Sequence, residues 1–263
     1  MYCPDQKRII SDVTHFIHQS NGNIIYIDQY VDRVHQSFFM RVVVESPFQK
    51  ITYENFKTTF NRDIGSRYSL RCSFFLEEEI PSVAVFVSKY DHCLYDILTQ
   101  QRYGKLACTI PFILSNHRDL ESVAKQFQIP FYHVPVTKET KVEAETQQLE
   151  LLKKHQIDSI VLARYMQIVS HRLVDAFPNQ IINIHHSFLP AFPGAKPYHS
   201  AFERGVKIIG ATSHYVTEDL DEGPIIEQDI TRVTHTNTIK DFILKGKDLE
   251  KIVLSRAIKL HTK

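Results

Sequence analysis

The chain is poor in glycine, with 8 glycines in 263 residues. It has neither a Walker loop nor a G-x-G-x-x-G fingerprint, the two glycine-rich segments that cradle phosphates at the start of a helix. The turn after the first strand of the second predicted domain, residues 88–94, also lacks glycine and carries Asp91 at the helix start. We therefore expect no glycine-rich phosphate cradle, and this turn is unsuited to a phosphorylated acceptor.

Cysteine is scarce too, and the thiols are far apart in sequence. No CxxC pair of the kind used by zinc sites and redox motifs is present. The simplest expectation is a set of unpaired thiols in a reducing compartment. The four are Cys3, Cys72, Cys93 and Cys108.

Charge and hydrophobic runs exclude further classes of protein. Lys and Arg total 31 against 30 for Asp and Glu, so no strong field favours nucleic acid or an anionic membrane. No apolar run approaches the ~20 residues that span a bilayer, and the polar start of the chain is unlike a signal peptide. We expect a cytoplasmic protein whose partner is a small molecule.

The N-terminal part of the chain has the pattern of a small helix-and-antiparallel-sheet unit. Apolar spacing predicts helices over residues 7–19 and 53–61, and strands over residues 23–31, 38–44 and 68–75. Three consecutive glutamates followed by Ile-Pro then suit an exposed connector better than the interior of an element. We place the domain boundary there, between residues 78 and 79.

The second predicted domain, residues 79–263, alternates short apolar runs with helical patterns. Continuous apolar runs are typical of strands covered on both faces, and their alternation with helices favours a parallel α/β sheet. The predicted strands cover residues 83–87, 108–114, 159–163, 181–185 and 208–216, and the helices cover residues 92–101, 120–128, 138–155, 171–177 and 238–260. Ligands of such sheets bind at the carboxyl ends of the strands, where Asn183 and His185 fall.

Asn183, His185 and Asp221 are the residues best suited to chemistry. The first two are two positions apart, so on an extended segment both side chains project to one face. An amide and an imidazole can donate to an oxyanion, and a carboxylate can order the imidazole or hold a water. The alternative is structural, with Asn183 satisfying a loop, His185 a polar core residue and Asp221 capping a turn.

Two other chemistries are weaker. His186, His199 and His214 could join His185 in a metal site, but their spacing matches no standard zinc motif, and no metal is predicted. Ser187 lacks the flanking glycines of a G-x-S-x-G elbow, which disfavours a serine hydrolase.

The motifs resemble those of the 10-formyltetrahydrofolate-dependent formyltransferase family, and most closely its deformylase branch, which joins an ACT domain to the catalytic core. The resemblance rests on residues 3–6, 38–41, 115–117, 163–167, 183–190, 193–198 and 220–226. It implies a ferredoxin-like ACT α+β domain over residues 1–78, followed by a Rossmann-like, mostly parallel α/β domain over residues 79–263.

The resemblance also implies roles. Asn183, His185 and Asp221 match the catalytic positions, and 10-formyltetrahydrofolate is the substrate, with no further cofactor. Residues matching the folate-binding loops are Tyr165, Met166, Gln167, Ile168, Val169, Val216, Glu218 and Asp219. With no phosphate cradle, water is the expected formyl acceptor, and formate and tetrahydrofolate are the expected products. The alternatives are formyl transfer to an amine, or a catalytically decayed regulator that binds folate or an amino acid.

The ACT-like part departs from its family's pattern. Only Met1 and Tyr2 precede Cys3, so its first strand is expected to be truncated. Arg8 stands where the family usually has a small glycine, which puts an amino-acid effector at this domain in doubt. We nonetheless expect a homo-oligomer, since ACT sheets commonly pair edge to edge.

Overall fold

The computed structural model describes residues 1–45, 50–191 and 197–262, with only the backbone of residues 50–52. The chain divides into two compact units, Met1–Glu79 and Ile80–Lys263. Residues 193–196 of the family motif lie outside the described residues.

The N-terminal unit packs helices against a three-stranded antiparallel sheet with the order β1-β3-β2. Helix α1 buries Ile9, Val13 and Ile17, which recur at intervals of four residues and so form one stripe. That stripe joins Phe38 and Met40 of β3 in a single apolar cluster. The elements are β1 Tyr2–Pro4, α1 Ile9–Gln19, β2 Asn23–Asp32, β3 Ser37–Glu45, α2 Lys50–Phe60, a π-helical turn Asn61–Gly65 and α3 Ser66–Tyr68.

Three features of this unit bear on the sequence-based expectations. The strand predicted over residues 68–75 is wrong, because only Arg71 pairs there, in an isolated bridge with Tyr2. Strand β1 is three residues long, so it offers little backbone for further pairing. Arg8, just before α1, has a φ of 76°, the left-handed region in which glycine is favoured.

The C-terminal unit is built on a seven-stranded sheet with the order β10-β9-β8-β7-β4-β5-β6. Five neighbouring strands, β8, β7, β4, β5 and β6, are parallel to one another. Strands β9 and β10 are antiparallel to their neighbours. The predicted mostly parallel α/β sheet is therefore present. The strands are β4 Val83–Val87, β5 Ile113–Ser115, β6 Phe131–His133, β7 Ser159–Leu162, β8 Ile181–His185, β9 Ile208–Tyr215 and β10 Ile225–Arg232; the helices are α4 His92–Arg102, α5 Glu121–Gln126, α6 Lys141–Lys154, α7 His171–Ala176, α8 Pro197–Arg204 and α9 Ile239–His261.

Apolar layers cover both faces of this sheet. Residues of α4 and α9 belong to one cluster, which includes Leu94 and Val253. Residues of α6 and α7 belong to the other, which includes Leu152 and Leu173. The central strand β4 is buried along its whole length, as its continuous apolar run predicts.

Differences from the predicted elements concentrate at the edges of the sheet. Strands β6 and β10 and helix α8 were not predicted. Both strands are edge strands whose residues are only partly buried, so they lack a continuous apolar run. The strand predicted over residues 108–114 is shorter, because Pro111 interrupts it and β5 begins only at Ile113. No helix among the described residues is both long and apolar enough to cross a bilayer.

Candidate active site

Strand β8 brings the predicted amide and imidazole to the middle of the sheet. It runs between β7 and β9, and Asn183 pairs with Leu162 on one side and His214 on the other. The isoleucines of β8 are buried. The apolar positions therefore fix the strand, and its polar residues, Asn183 and His185, lie at its carboxyl end.

Asp221 reaches this strand end from the turn between β9 and β10. Its Oδ2 lies 3.2 Å from His185 Nδ1. Asp221 itself has a φ of 60°. Gly223, two residues later, has no room for a side chain, since a Cβ there would lie 1.7 Å from the Tyr215 carbonyl oxygen. The turn is thus held against the backbone of β9, and it positions the carboxylate.

The electrostatics of Asp221 follow from its neighbours. Hydrogen bonding to His185 holds the pKa of the Asp221 carboxyl well below its usual range against the opposing effect of burial. The carboxylate therefore stays ionised at neutral pH. An ionised carboxylate on Nδ1 fixes the imidazole ring and pairs with the imidazolium when the ring takes a proton.

His214 holds the Asn183 amide and lies beside the Asp221 carboxylate. Its Nδ1 donates to the Tyr215 carbonyl at 2.9 Å. Its Nε2 lies 3.2 Å from Asn183 Nδ2 and 3.5 Å from Asp221 Oδ1. In the neutral ring the Nε2 lone pair accepts from the amide, which leaves the second amide N–H of Asn183 for a ligand. His214 was considered from sequence only as a metal ligand, and this contact was missed.

The signal for His214 lies in the register rather than in any motif. Asn183 pairs directly with His214 across the antiparallel β8–β9 ladder. Directly opposite residues on one face are close enough for side-chain contact. Sequence alone gives the strands but not this pairing.

Two buried polar atoms of the candidate site have no partner among the residues described. His185 Nε2 and Ser187 Oγ are buried, and neither has a hydrogen-bond partner within the described part of the chain. Buried polar atoms are usually paired. His185 thus has one nitrogen held by Asp221 and the other free for a substrate oxygen.

The first predicted folate loop follows β7. The Tyr165 ring is buried and its hydroxyl accepts from Gln148 Nε2 at 2.9 Å, and burial raises the pKa of this hydroxyl. Tyr165 therefore anchors the loop from within the core. Met166 and Ile168 are exposed, and Gln167 lies between them.

The second predicted folate loop, which follows β9, meets the first at a shared apolar cluster. Val169 and Val216 both pack against the cluster that contains Tyr165. Val216 N also donates to the Ile181 carbonyl at 2.8 Å. Glu218 and Asp219 are exposed, so the structure places them at the surface beyond this contact.

One group of described residues has metal-ligand character, formed by His92, Cys93 and Glu250. Glu250 is already engaged, because it accepts from His92 Nε2 at 2.8 Å and from the Tyr198 hydroxyl at 2.7 Å. The Arg164 guanidinium lies 3.5 Å away. Burial raises the pKa of the Cys93 thiol well above its usual value. A metal ion would have to displace the Arg164 guanidinium from Glu250, so these residues do not fit a metal.

The mostly parallel sheet and the meeting of Asn183, His185 and Asp221 at the end of β8 are what a formyl transferase domain is expected to have. The sequence model described as "Formyl transferase" matches residues 82–258. A formyltetrahydrofolate deformylase from Synechocystis sp. is 50% identical over 259 residues, covering 98% of this chain and 90% of the relative. The chain belongs to the formyltetrahydrofolate deformylase family.

Solved structures agree with this assignment. The crystal structure of a formyltetrahydrofolate deformylase from Pseudomonas syringae pv. tomato has a TM-score of 0.94 and 41% identity, over 99% of this chain and 87% of that one. A glycinamide ribonucleotide transformylase from Symbiobacterium toebii has a TM-score of 0.66 and 30% identity, over 73% of this chain and 92% of that one.

Proposed function

We propose that this protein hydrolyses 10-formyltetrahydrofolate to formate and tetrahydrofolate. The observation that carries the proposal is the contact of 3.2 Å between His185 Nδ1 and Asp221 Oδ2, with the Asn183 amide held by His214 beside it. It supplies an ionised carboxylate for water beside two donors for an oxyanion.

The reaction requires one C–N bond to break and one C–O bond to form. Asp221 holds a water, whose oxygen attacks the formyl carbon. His185 and Asn183 donate to the oxygen of the tetrahedral intermediate. The water's proton passes through the Asp221–His185 pair to N10 of the folate, which leaves as the C–N bond breaks. A second proton is lost as formic acid ionises to formate.

In this proposal, folate is held by the loop after β7 and the loop after β9, which meet beside Tyr165. Met166 and Ile168 offer exposed apolar side chains to the pterin, and the backbone of residues 165–169 supplies hydrogen bonds. The loop that contains Val216 forms the other wall, with the exposed Glu218 and Asp219 beyond it. No cofactor or metal is needed, since 10-formyltetrahydrofolate is itself the reactive donor.

The test is formate release without any added amine. Each oxyanion donor contributes about 3–4 kcal/mol, so His185→Ala should reduce turnover by roughly 10²- to 10³-fold. His199→Ala is the matched control, since His199 is exposed on α8. Formate release only with an amine would establish a transferase, and folate binding without turnover would establish a regulator.

The unit Met1–Glu79 completes the proposal as an ACT-like domain for regulation and dimerisation. Its helix-on-antiparallel-sheet architecture supports this role. Strand β2 presents exposed apolar side chains that a second copy could cover, at Ile25, Tyr26, Ile27 and Tyr30. A cavity of about 470 Å³, lined in part by Arg8, is the candidate effector site. Sedimentation analysis and titration with a panel of amino acids test both roles.

The proposed location is the cytoplasm. All four cysteines are free, and unpaired thiols are typical of a reducing compartment.

A further inference from the structure

Glu250 is the centre of a buried ionic cluster beside the catalytic residues. The Glu250 side chain is 1% exposed, and its carboxylate contacts His92, Tyr198 and Arg164. Burial works to raise the pKa of Glu250, but the His92 hydrogen bond and the Arg164 charge hold it below its usual value. Glu250 is therefore an ionised carboxylate whose partners are already in place.

Arg164 is not satisfied by this cluster. Its side chain is 8% exposed, and Nη1 has no hydrogen-bond partner among the described residues. The Tyr90 ring covers the guanidinium at 4.9 Å, and Lys247 Nζ lies 5.7 Å from the same ring. A buried guanidinium with unused donors is costly. The unused N–H donors of Arg164 are therefore available to a ligand that carries an acceptor.

The cluster occupies the position where sheets of this type bind ligands. Strand β4 lies between β5 and β7 in the sheet, so the chain reverses its direction of growth there. The crevice outside the carboxyl ends of such strands is the usual ligand site. Arg164 lies two residues past the end of β7, and His92 begins the helix that follows β4.

The same crevice adjoins the catalytic imidazole. Leu162, the last residue of β7, pairs with Asn183 of β8. Arg164 follows the end of β7 and His185 ends β8, so both lie at the carboxyl ends of neighbouring parallel strands. Neighbouring strands are about 4.8 Å apart. The His185 and His186 rings are also in contact, with centroids 5.4 Å apart.

We propose that Arg164 binds a small carboxylate, and that this ligand is the formate released at His185. The inference rests on the proposed hydrolysis. A guanidinium presents a fork of donors that matches a carboxylate. A singly charged carboxylate meets less repulsion from Glu250 and from the exposed Asp91 at the start of α4 than a doubly charged phosphate would. Arg164 thus draws formate away from the Asp221 carboxylate, which repels it.

The test is binding of sodium ¹³C-formate to the full-length protein with tetrahydrofolate present, followed by NMR. Saturable binding is expected, and Arg164→Met should weaken it by roughly tenfold or more. Arg164→Lys keeps the charge without the fork, so its affinity should be intermediate. Arg256→Met is the matched control, because Arg256 forms an exposed pair with Asp229.

Several outcomes would overturn the inference. Absence of saturable binding to the wild type would do so whatever the variants do, and so would equal binding by Arg164→Met. Inorganic phosphate displacing formate at lower concentration would assign the site to phosphate instead. The assay contains no formyl donor, so it is independent of turnover. Formate release in the activity assay without formate binding would refute this inference alone.

Discussion

We expect folate binding to depend on how helix α6 holds the loop after β7. At one end Gln148 holds the Tyr165 hydroxyl. At the other end Glu145 accepts from Ser170 N at 2.8 Å and from Ser170 Oγ at 2.5 Å. Between these anchors Met166 has a φ of 59°, which costs a non-glycine residue about 1–3 kcal/mol. The bonds to Glu145 offset that strain, so removing them should release the loop.

The size of the effect follows from these contacts. A hydrogen bond to a charged group contributes about 1.5–3 kcal/mol. Glu145→Ala removes two, but water can resolvate the half-buried Ser170, so we expect a net loss of about 1.5–3 kcal/mol in folate binding. Since about 1.4 kcal/mol is a factor of ten, KM for 10-formyltetrahydrofolate should rise roughly 10- to 100-fold. The turnover number should change less, because Asn183 and His185 are untouched.

Steady-state formate release at several substrate concentrations separates KM from kcat. Glu143→Ala is the matched control, since Glu143 is an exposed glutamate on the same helix. Circular dichroism and thermal unfolding check that both variants fold. A folded Glu145→Ala variant with KM within about twofold of wild type would refute the proposed clamp, as would an equal effect in the control.

Three further predictions concern other parts of the C-terminal unit. His214→Phe removes the acceptor that orients the Asn183 amide, so kcat should fall roughly 10- to 100-fold with KM little changed; unchanged kcat in steady-state assays would argue against this role. Gly223→Ala forces a Cβ against the Tyr215 carbonyl and should displace Asp221, so formate release should be largely lost while circular dichroism still reports a folded chain. Burial lowers the pKa of His261, so the unfolded chain binds protons more readily and stability should fall as pH drops below about 6.5. His261→Gln should flatten that fall in urea titrations between pH ~7 and ~5, and an unaltered pH dependence would contradict the assignment.

The elements that sequence predicted well are those buried on both faces. The apolar run Val83–Val87 is a strand because neighbouring elements cover both of its sides. Edge strands carry no such signal, since one side needs no apolar cover. Strand β10 is the clearest example, and its partly exposed residues alternate irregularly.

The candidate site divides in the same way. Asn183 and His185 are two positions apart, which places both side chains on one face of the strand. The family motif adds Asp221. The contact between His214 and Asn183 depends on the register of β8 against β9, which no local pattern specifies. Arg164 likewise belongs to a sequence motif, but the motif does not indicate its partner. Its pairing with Glu250 joins positions 86 residues apart in the chain. Long-range contacts of this kind come from the fold rather than from local sequence.

Isotope labelling tests the central claim most directly. The protein is incubated with 10-formyltetrahydrofolate in H₂¹⁸O with no amine acceptor, and formate and tetrahydrofolate are measured by mass spectrometry and absorbance. Hydrolysis at Asp221 predicts equal amounts of both products and one ¹⁸O atom in each formate. Asp221→Asn should abolish most of this release. Formate that appears only after an amine is added, or undiminished release by the variant, would contradict the account.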